Sequence, residues 1–450
     1  MTDPWESLGI RETEMARGRP TEAARDRLDL PLTLRLVDDE HAVQQPVFDP
    51  ALKQHTRAYR ASDPEFADPA ARAAWLAARR TAMDLVLAAI AGSPWRDHLV
   101  LRGSVLLSRW FGEAAREPGD LDFVVTPARW RIEEERTGAM LHDIARAAED
   151  VAEHAADHGP DRAADRTAPS GAVSTTAPHT IRFHASDAVS EDIWTYDRVP
   201  GRRLVLPWTS GTTPGGIVQL DFVFNESLPV PPEEVTIGGA CLLGATPELS
   251  LAWKLVWLVD DMHPQGKDLY DAVLLAEHCT VDYETLAAVF IAADPANVAH
   301  PLRPDITDEL PPPAHEWQHF ADEYPHLAGD PAELADRLRA ALAPAFRTAD
   351  GDPRTLRHRW SADWLATCRA SLAAGGLPGL LTDLAERRTT AVVAAAVTRE
   401  LLGPHQCDAA TALDQVLAHP AWSALGEHHR VRPEYMRRLV EAVAGIDIGA

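Results

Sequence analysis

Asp120 and Asp122, in the stretch REPGDLDFVV, are carboxylates one residue apart at the head of an apolar run. Side chains alternate along a strand, so these two share a face while Leu121, Phe123 and Val125 point into a core. Carboxylates about 7 Å apart repel each other. Such a pair is tolerated where water solvates it, as at an ordinary strand edge, or where a divalent cation sits between the oxygens. Strand-end carboxylates are typical ligands for Mg²⁺ that carries substrate phosphates. Upstream, Gly103-Ser104 in LRGSVLL falls between a strand and a helix, where free N–H groups and the helix dipole favour an anion. Glycine lets a phosphate approach the backbone and the serine hydroxyl adds a donor, although the same serine also reads as a plain N-cap.

A third carboxylate, Asp221, stands in IVQLDFVF opposite the apolar face formed by Val218, Leu220, Phe222 and Phe224. It suits a metal or a water-filled cleft, or else the exposed face of an antiparallel strand, because burying it without a partner is costly. Lys254 is the only charge in LSLAWKLVWLV, and one of three lysines (Lys53, Lys254, Lys267) among 43 basic residues. It reads either as a lysine snorkelling at a helix margin or as a compact ammonium for phosphate oxygens. Asp268, with Asp271 one turn beyond it, opens KDLYDAVLL, where acids also favour a helix N-terminus.

The elements that must position these groups are legible in outline. Residues 1–64 are polar and Pro-punctuated and read as an N-terminal arm with short elements. A helix is expected from Asp68 to Ala91 and a short strand at 97–101. A second long helix is expected through RIEEERTGAMLHDIARAAEDVAEHAA, followed by a flexible insertion at HGPDRAADRTAPSGAVSTTAPH. Strands are expected in TIRFHA, DIWTYDRV, RRLVLPW and at 215–225. Thr246 and Pro247 mark a helix start, and beyond about residue 280 the chain reads as helices broken by Pro-rich loops such as LRPDITDELPPP and ADGDPRT. The expected organisation is an α/β (α+β) domain with a mixed sheet over 65–245, then an all-helical region over 246–450.

Composition narrows the classes. The chain has 450 residues, 46% hydrophobic and 25% charged, with no apolar stretch of the roughly 18 residues a membrane span needs and no signal-peptide core. A cytoplasmic location with no membrane partner is expected. The four cysteines are scattered without ligand spacing, so neither a disulfide framework nor a zinc site is expected. A formal charge of −25 argues against a broad basic surface for nucleic acid but leaves room for a local basic groove.

Gly-Ser, Asp-x-Asp on a strand and a further strand carboxylate resemble the polymerase-β-like nucleotidyltransferase fold. The fuller set, LRGSVLLSRWFG with REPGDLDF, ELSLAWKLVWL and KDLYDAVLL, resembles the nucleotidyl transferase AbiEii/AbiGii toxin family over roughly residues 80–280. That resemblance implies a toxin of a toxin–antitoxin or phage-defence pair, with a cognate antitoxin, that moves a nucleotide from an NTP to RNA, first of all the 3′ end of tRNA. It implies Gly103 and Ser104 at the nucleotide phosphates and Asp120 and Asp122 on Mg²⁺. Lys254 and Asp268 are implied as residues needed for activity, and Asp221 as the less uniform third metal ligand. The interval from Ser104 to Asp120 is longer than the family's common spacing. Nucleotidylation of a protein or small-molecule hydroxyl, or an inactive binding partner, are the other classes open. RTLRHRW (354–360) and HHRVRPEYMRRL (428–439), with arginines beside aromatics, are the candidate RNA contacts, or else solvated helix faces.

Overall fold

The computed structural model describes residues 4–158, 180–195, 199–260, 264–304, 314–347, 353–446 and 448. The expected flexible insertion at 158–179 lies almost wholly outside the described residues, as do parts of the Pro-rich loops at 302–313 and 349–355. The chain divides into two compact units, one of residues 1–227 and 231–245, the other of residues 228–230 and 246–450.

The first unit is built on an eight-stranded mixed sheet. Its strands are β1 (Leu99–Arg102), β2 (Leu121–Val125), β3 (Ile181–Phe183), β4 (Val189–Thr195), β5 (Val199–Ser210), β6 (Gly216–Val223), β7 (Glu233–Ile237) and β8 (Ala240–Gly244). They run in the order β4-β5-β6-β2-β1-β8-β7, with β3 beside β5. The β6–β2 and β1–β8 pairs are parallel and the rest antiparallel. The sequence reading assigns no strand to residues 233–244, yet β7 and β8 form a hairpin there. Its turn is Gly238-Gly239, φ +55 and +85, the left-handed pair that two-residue hairpins require.

Helix α1 (Pro69–Ala91) starts at Asp68, whose side chain accepts the Ala70 N–H, and has Pro69 in its first turn. Its buried stripe of Trp75, Ala78, Ala82, Met83, Val86, Leu87 and Ile90 packs on β6 and β8 and on a second helix, α3 (Glu135–His158). That helix buries Met140, Ile144, Ala148 and Ala152 at four-residue steps, one face of a 3.6-residue helix. Between them in sequence, the short helix α2 (Ser104–Phe111) follows β1 directly.

Residues 4–66 hold short strand pairs, a helix at Glu22–Leu28 and a 3₁₀ turn at Pro50–Leu52. This segment is tied to β4. Glu191 accepts the Leu32 and Thr33 N–H groups and the Thr33 hydroxyl, and His55 sits between Glu191 and Asp29, 3.0 and 3.1 Å away. Leu52, Ala58 and Ile193 form a small apolar core beneath these polar ties.

The second unit is helical throughout its described residues. It opens with α4 (Pro247–Asp260) and α5 (Gly266–His278), which pack on each other, followed by α6 (Tyr283–Ala293). Thr246 Oγ1 accepts the Leu249 N–H at 3.2 Å and caps α4, with Pro247 in the first helical position. No helix among the described residues is long and apolar enough to cross a membrane.

Candidate active site

Sheet register brings four charged residues into one row. Arg203 on β5 pairs with Asp221 on β6, Asp221 with Asp122 on β2, and Asp122 with Arg102 on β1. The row reads plus, minus, minus, plus across four neighbouring strands. On β6 and β2 the adjoining positions are apolar, with Leu220 and Leu121 on one side and the stacked rings of Phe222 and Phe123, 5.6 Å apart, on the other. Alternation along each strand therefore turns the carboxylates to the face opposite this core.

Asp120, one residue before β2, completes a carboxylate group. Asp120, Asp122 and Asp221 each offer an oxygen within 4.8 Å of the others. Asp120 and Asp122 are half-buried, whereas Asp221 is buried. Burial raises the pKa of Asp221, Arg203 pulls it back, and the neighbouring charge of Asp120 adds to the rise. A cation among three carboxylates this close offsets their mutual repulsion and favours the ionised form of each. An all-oxygen donor set, partly open to solvent, fits a hard divalent cation such as Mg²⁺.

Arg203, which the sequence reading does not single out, is the main partner of Asp221. Its Nε and Nη2 donate to the two carboxylate oxygens at 2.8 Å each, and its Nη1 donates to Asp49 Oδ2 at 2.7 Å. Burial alone would lower the guanidinium pKa, but the two carboxylates more than reverse this and hold it well above the usual value. Asp221 is thus neither a solvated strand face nor an unpartnered acid. The signal for Arg203 in sequence is only RRLVLPW, where it is the second of two arginines ahead of an apolar run, and nothing local says which acid it meets.

Gly103 joins β1 to α2 with φ +82 and ψ −154, a region open essentially to glycine alone. A Cβ placed there would overlap the Asp122 carboxylate, so a larger residue at this position would have to displace that side chain. Gly103 is also the N-cap of α2, and Ser104 is the first helical residue rather than the cap. The Ser104 hydroxyl is buried and has no hydrogen-bond partner among the described residues. At the other end of the row, Arg102 donates to Glu226 at 2.9 Å, and burial raises the Glu226 pKa against the pull of that guanidinium.

In the second unit, Lys254 is buried, so it does not snorkel to solvent. Its Nζ lies 2.8 Å from Asp268 and 2.9 Å from Asp271, and 4.5 Å from the centre of the Trp257 ring. Asp268 and Asp271, one turn apart on α5, are both buried and both serve this lysine, although by spacing they read as acids of a first helical turn.

Of the two arginine–aromatic clusters, the one at 354–360 has Arg359 and Trp360 committed internally. Trp360 is buried against Tyr283 and Phe290 and donates to the Asn297 carbonyl, and Arg359 pairs with Glu284. The cluster at 428–439 presents Arg430, Arg432, Arg437, Arg438 and Tyr435 on the surface, with His429 buried.

A family model described as nucleotidyl transferase AbiEii toxin, type IV toxin–antitoxin system, matches residues 85–351, more than half of the chain. The chain belongs to this family. The matched span contains Gly103, Ser104, Asp120, Asp122, Asp221, Lys254 and Asp268, and residues 1–84 and 352–450 lie outside it. No curated protein matches the chain. Membership makes this AbiEii-family chain a nucleotidyltransferase toxin of a type IV system, with an NTP as substrate and an antitoxin as partner.

Proposed function

We propose that this AbiEii-family toxin transfers a nucleotide from an NTP to RNA, with the 3′ end of tRNA as acceptor, in a Mg²⁺-dependent reaction. The observation that carries the reading is the meeting of Asp120, Asp122 and Asp221 within 4.8 Å, beside a glycine too close to Asp122 for any Cβ. When bound, Mg²⁺ supplies charge neutralisation on the triphosphate and orients the attacking hydroxyl in line with the leaving pyrophosphate. Asp120 and Asp122 would hold it, with Asp221 as third ligand. The backbone at Gly103 admits a phosphate, and the Ser104 hydroxyl, with no partner among the described residues, is left to donate to one. Lys254, balanced by Asp268 and Asp271, is a further residue on which activity depends.

RNA is favoured over a protein acceptor by the exposed arginines at 430–438, which stand together in a chain of net charge −25. The test is incubation with each labelled NTP, Mg²⁺ and total cellular RNA. Label in RNA supports the reading, and label in protein moves the acceptor to a protein hydroxyl. No label, together with unchanged toxicity of Asp120→Ala, leaves a binding partner without catalysis.

A further inference from the structure

Arg203 is shared between two carboxylates that belong to different parts of the chain. Asp221 lies inside the family match, on the central parallel pair of strands, whereas Asp49 lies outside it, in the N-terminal segment. All three side chains are nine-tenths buried or close to it. Asp49 is itself fixed. Its Oδ1 accepts the Ala51 N–H at 3.0 Å and caps the Pro50–Leu52 turn, and Leu52 packs on Ile193 of β4. The N-terminal segment therefore delivers one negative charge to a set place beside the guanidinium.

We propose that Arg203 is a positioning residue for the metal site and that the N-terminal segment, through Asp49, sets how strongly Arg203 competes with a divalent cation for Asp221. The inference rests on the metal-dependent reading above. Asp221 Oδ2 accepts from both Arg203 and Gln219 Nε2, the latter at 3.3 Å, whereas Oδ1 gives only one of its two lone-pair directions to Arg203, so Arg203 holds the carboxylate in a fixed orientation while Oδ1 can still face a cation. The guanidinium nevertheless repels that cation across a short, poorly screened distance. Asp49 offsets the repulsion by neutralising Arg203 from the far side. Without Asp49 the whole positive charge bears on Asp221 and its metal. With Arg203 and Asp49 removed together, the offset is no longer needed.

Mn²⁺ binding to the full chain, measured by titration calorimetry in the absence of nucleotide, separates this from a merely structural role. Asp49→Asn keeps the shape and the cap acceptor but not the charge, and should weaken Mn²⁺ binding about tenfold. The double variant Asp49→Asn with Arg203→Gln should bind Mn²⁺ more tightly than Asp49→Asn alone, because the unbalanced guanidinium is gone, although Asp221 loses its positioning partner. Asp122→Asn is the control for the metal reading and should abolish binding at the site. Binding by Asp49→Asn equal to that of the unaltered protein, or a double variant no tighter than Asp49→Asn, overturns the proposal while the control still loses metal. Unchanged binding by Asp122→Asn instead overturns the metal reading, and the inference with it.

Discussion

Asp122 and Asp221 are direct cross-strand neighbours in the parallel pair β2–β6, and their carboxylates project from the same face of the sheet. Nothing in packing requires this. Leu121 and Leu220, paired one step away, and Phe123 and Phe222, paired on the other side, already fill the core beneath them. Like charges directly opposite one another destabilise a sheet pair, by roughly 0.2–1 kcal/mol on exposed sheets. Arg203 and Arg102 flank the two acids and reduce that cost without removing it.

Replacing one of the pair by its isostere separates stability from activity. Asp122→Asn relieves repulsion and should leave the melting temperature unchanged or raise it. Nucleotidyl transfer should fall on the order of 100-fold or more, because a proposed ligand for the phosphate-bearing cation is removed. Thermal unfolding and label incorporation on the same sample check both halves. A parallel loss of stability and activity would mean that Asp122 is structural.

Gly103 should not tolerate even alanine. The backbone at φ +82, ψ −154 is strained for any L-residue, at about 1–3 kcal/mol, and the new Cβ would also displace the Asp122 carboxylate. Urea unfolding of Gly103→Ala should report the strain. Metal affinity should drop as well, since the displaced group is one of the proposed metal ligands.

Lys254→Met should destabilise the second unit by about 3–5 kcal/mol, because it leaves Asp268 and Asp271 buried without their counter-charge. Adding Asp271→Asn to Lys254→Met should recover part of the loss. A double-mutant cycle measured by chemical unfolding gives the coupling. Additive effects would show that the pair contributes nothing as a pair.

The two arginine–aromatic clusters should behave differently towards RNA. Neutralising Arg430, Arg432, Arg437 and Arg438 to Gln should weaken RNA binding and flatten its dependence on salt. The log–log slope should fall by about 0.7 for each single-strand phosphate that an arginine no longer neutralises. Trp360→Phe should leave both quantities unchanged, since the ring is covered by Tyr283 and Phe290. Filter binding across a salt series measures the slopes.

Cys368 predicts an alkaline limit to stability. Burial pushes its thiol up to about 12, whereas in the unfolded chain it titrates at about 8.5. Above that lower value the unfolded state loses the proton and the folded state keeps it. The thiol's contribution is therefore fully present below about pH 8.5 and lost progressively as pH rises towards 12. The fall in unfolding free energy from pH 8 to pH 10 should be smaller in Cys368→Ala than in the unaltered chain. The same burial should keep Cys368 unmodified by iodoacetamide in the folded protein at pH 8.

What the sequence determined by itself was local. Asp68 before Pro69 and Thr246 before Pro247 start helices because a cap needs only residues within one turn. The alternation in LDFVV and QLDFVF sets which side of each strand the acids take, because the strand period is two. The Gly238-Gly239 turn was equally local, and its strands could have been read from it. What only the tertiary structure decided was pairing between distant segments. Strand register placed Asp221 beside Asp122 and Arg203 beside Asp221, and packing of Leu52 on β4 carried Asp49 to the same guanidinium. The helix pair α4–α5 gave Lys254 two acids where spacing suggested only the dipole. Charge partners across such separations follow from how strands and helices dock, and docking is set by the apolar core as a whole, which no short stretch of sequence contains.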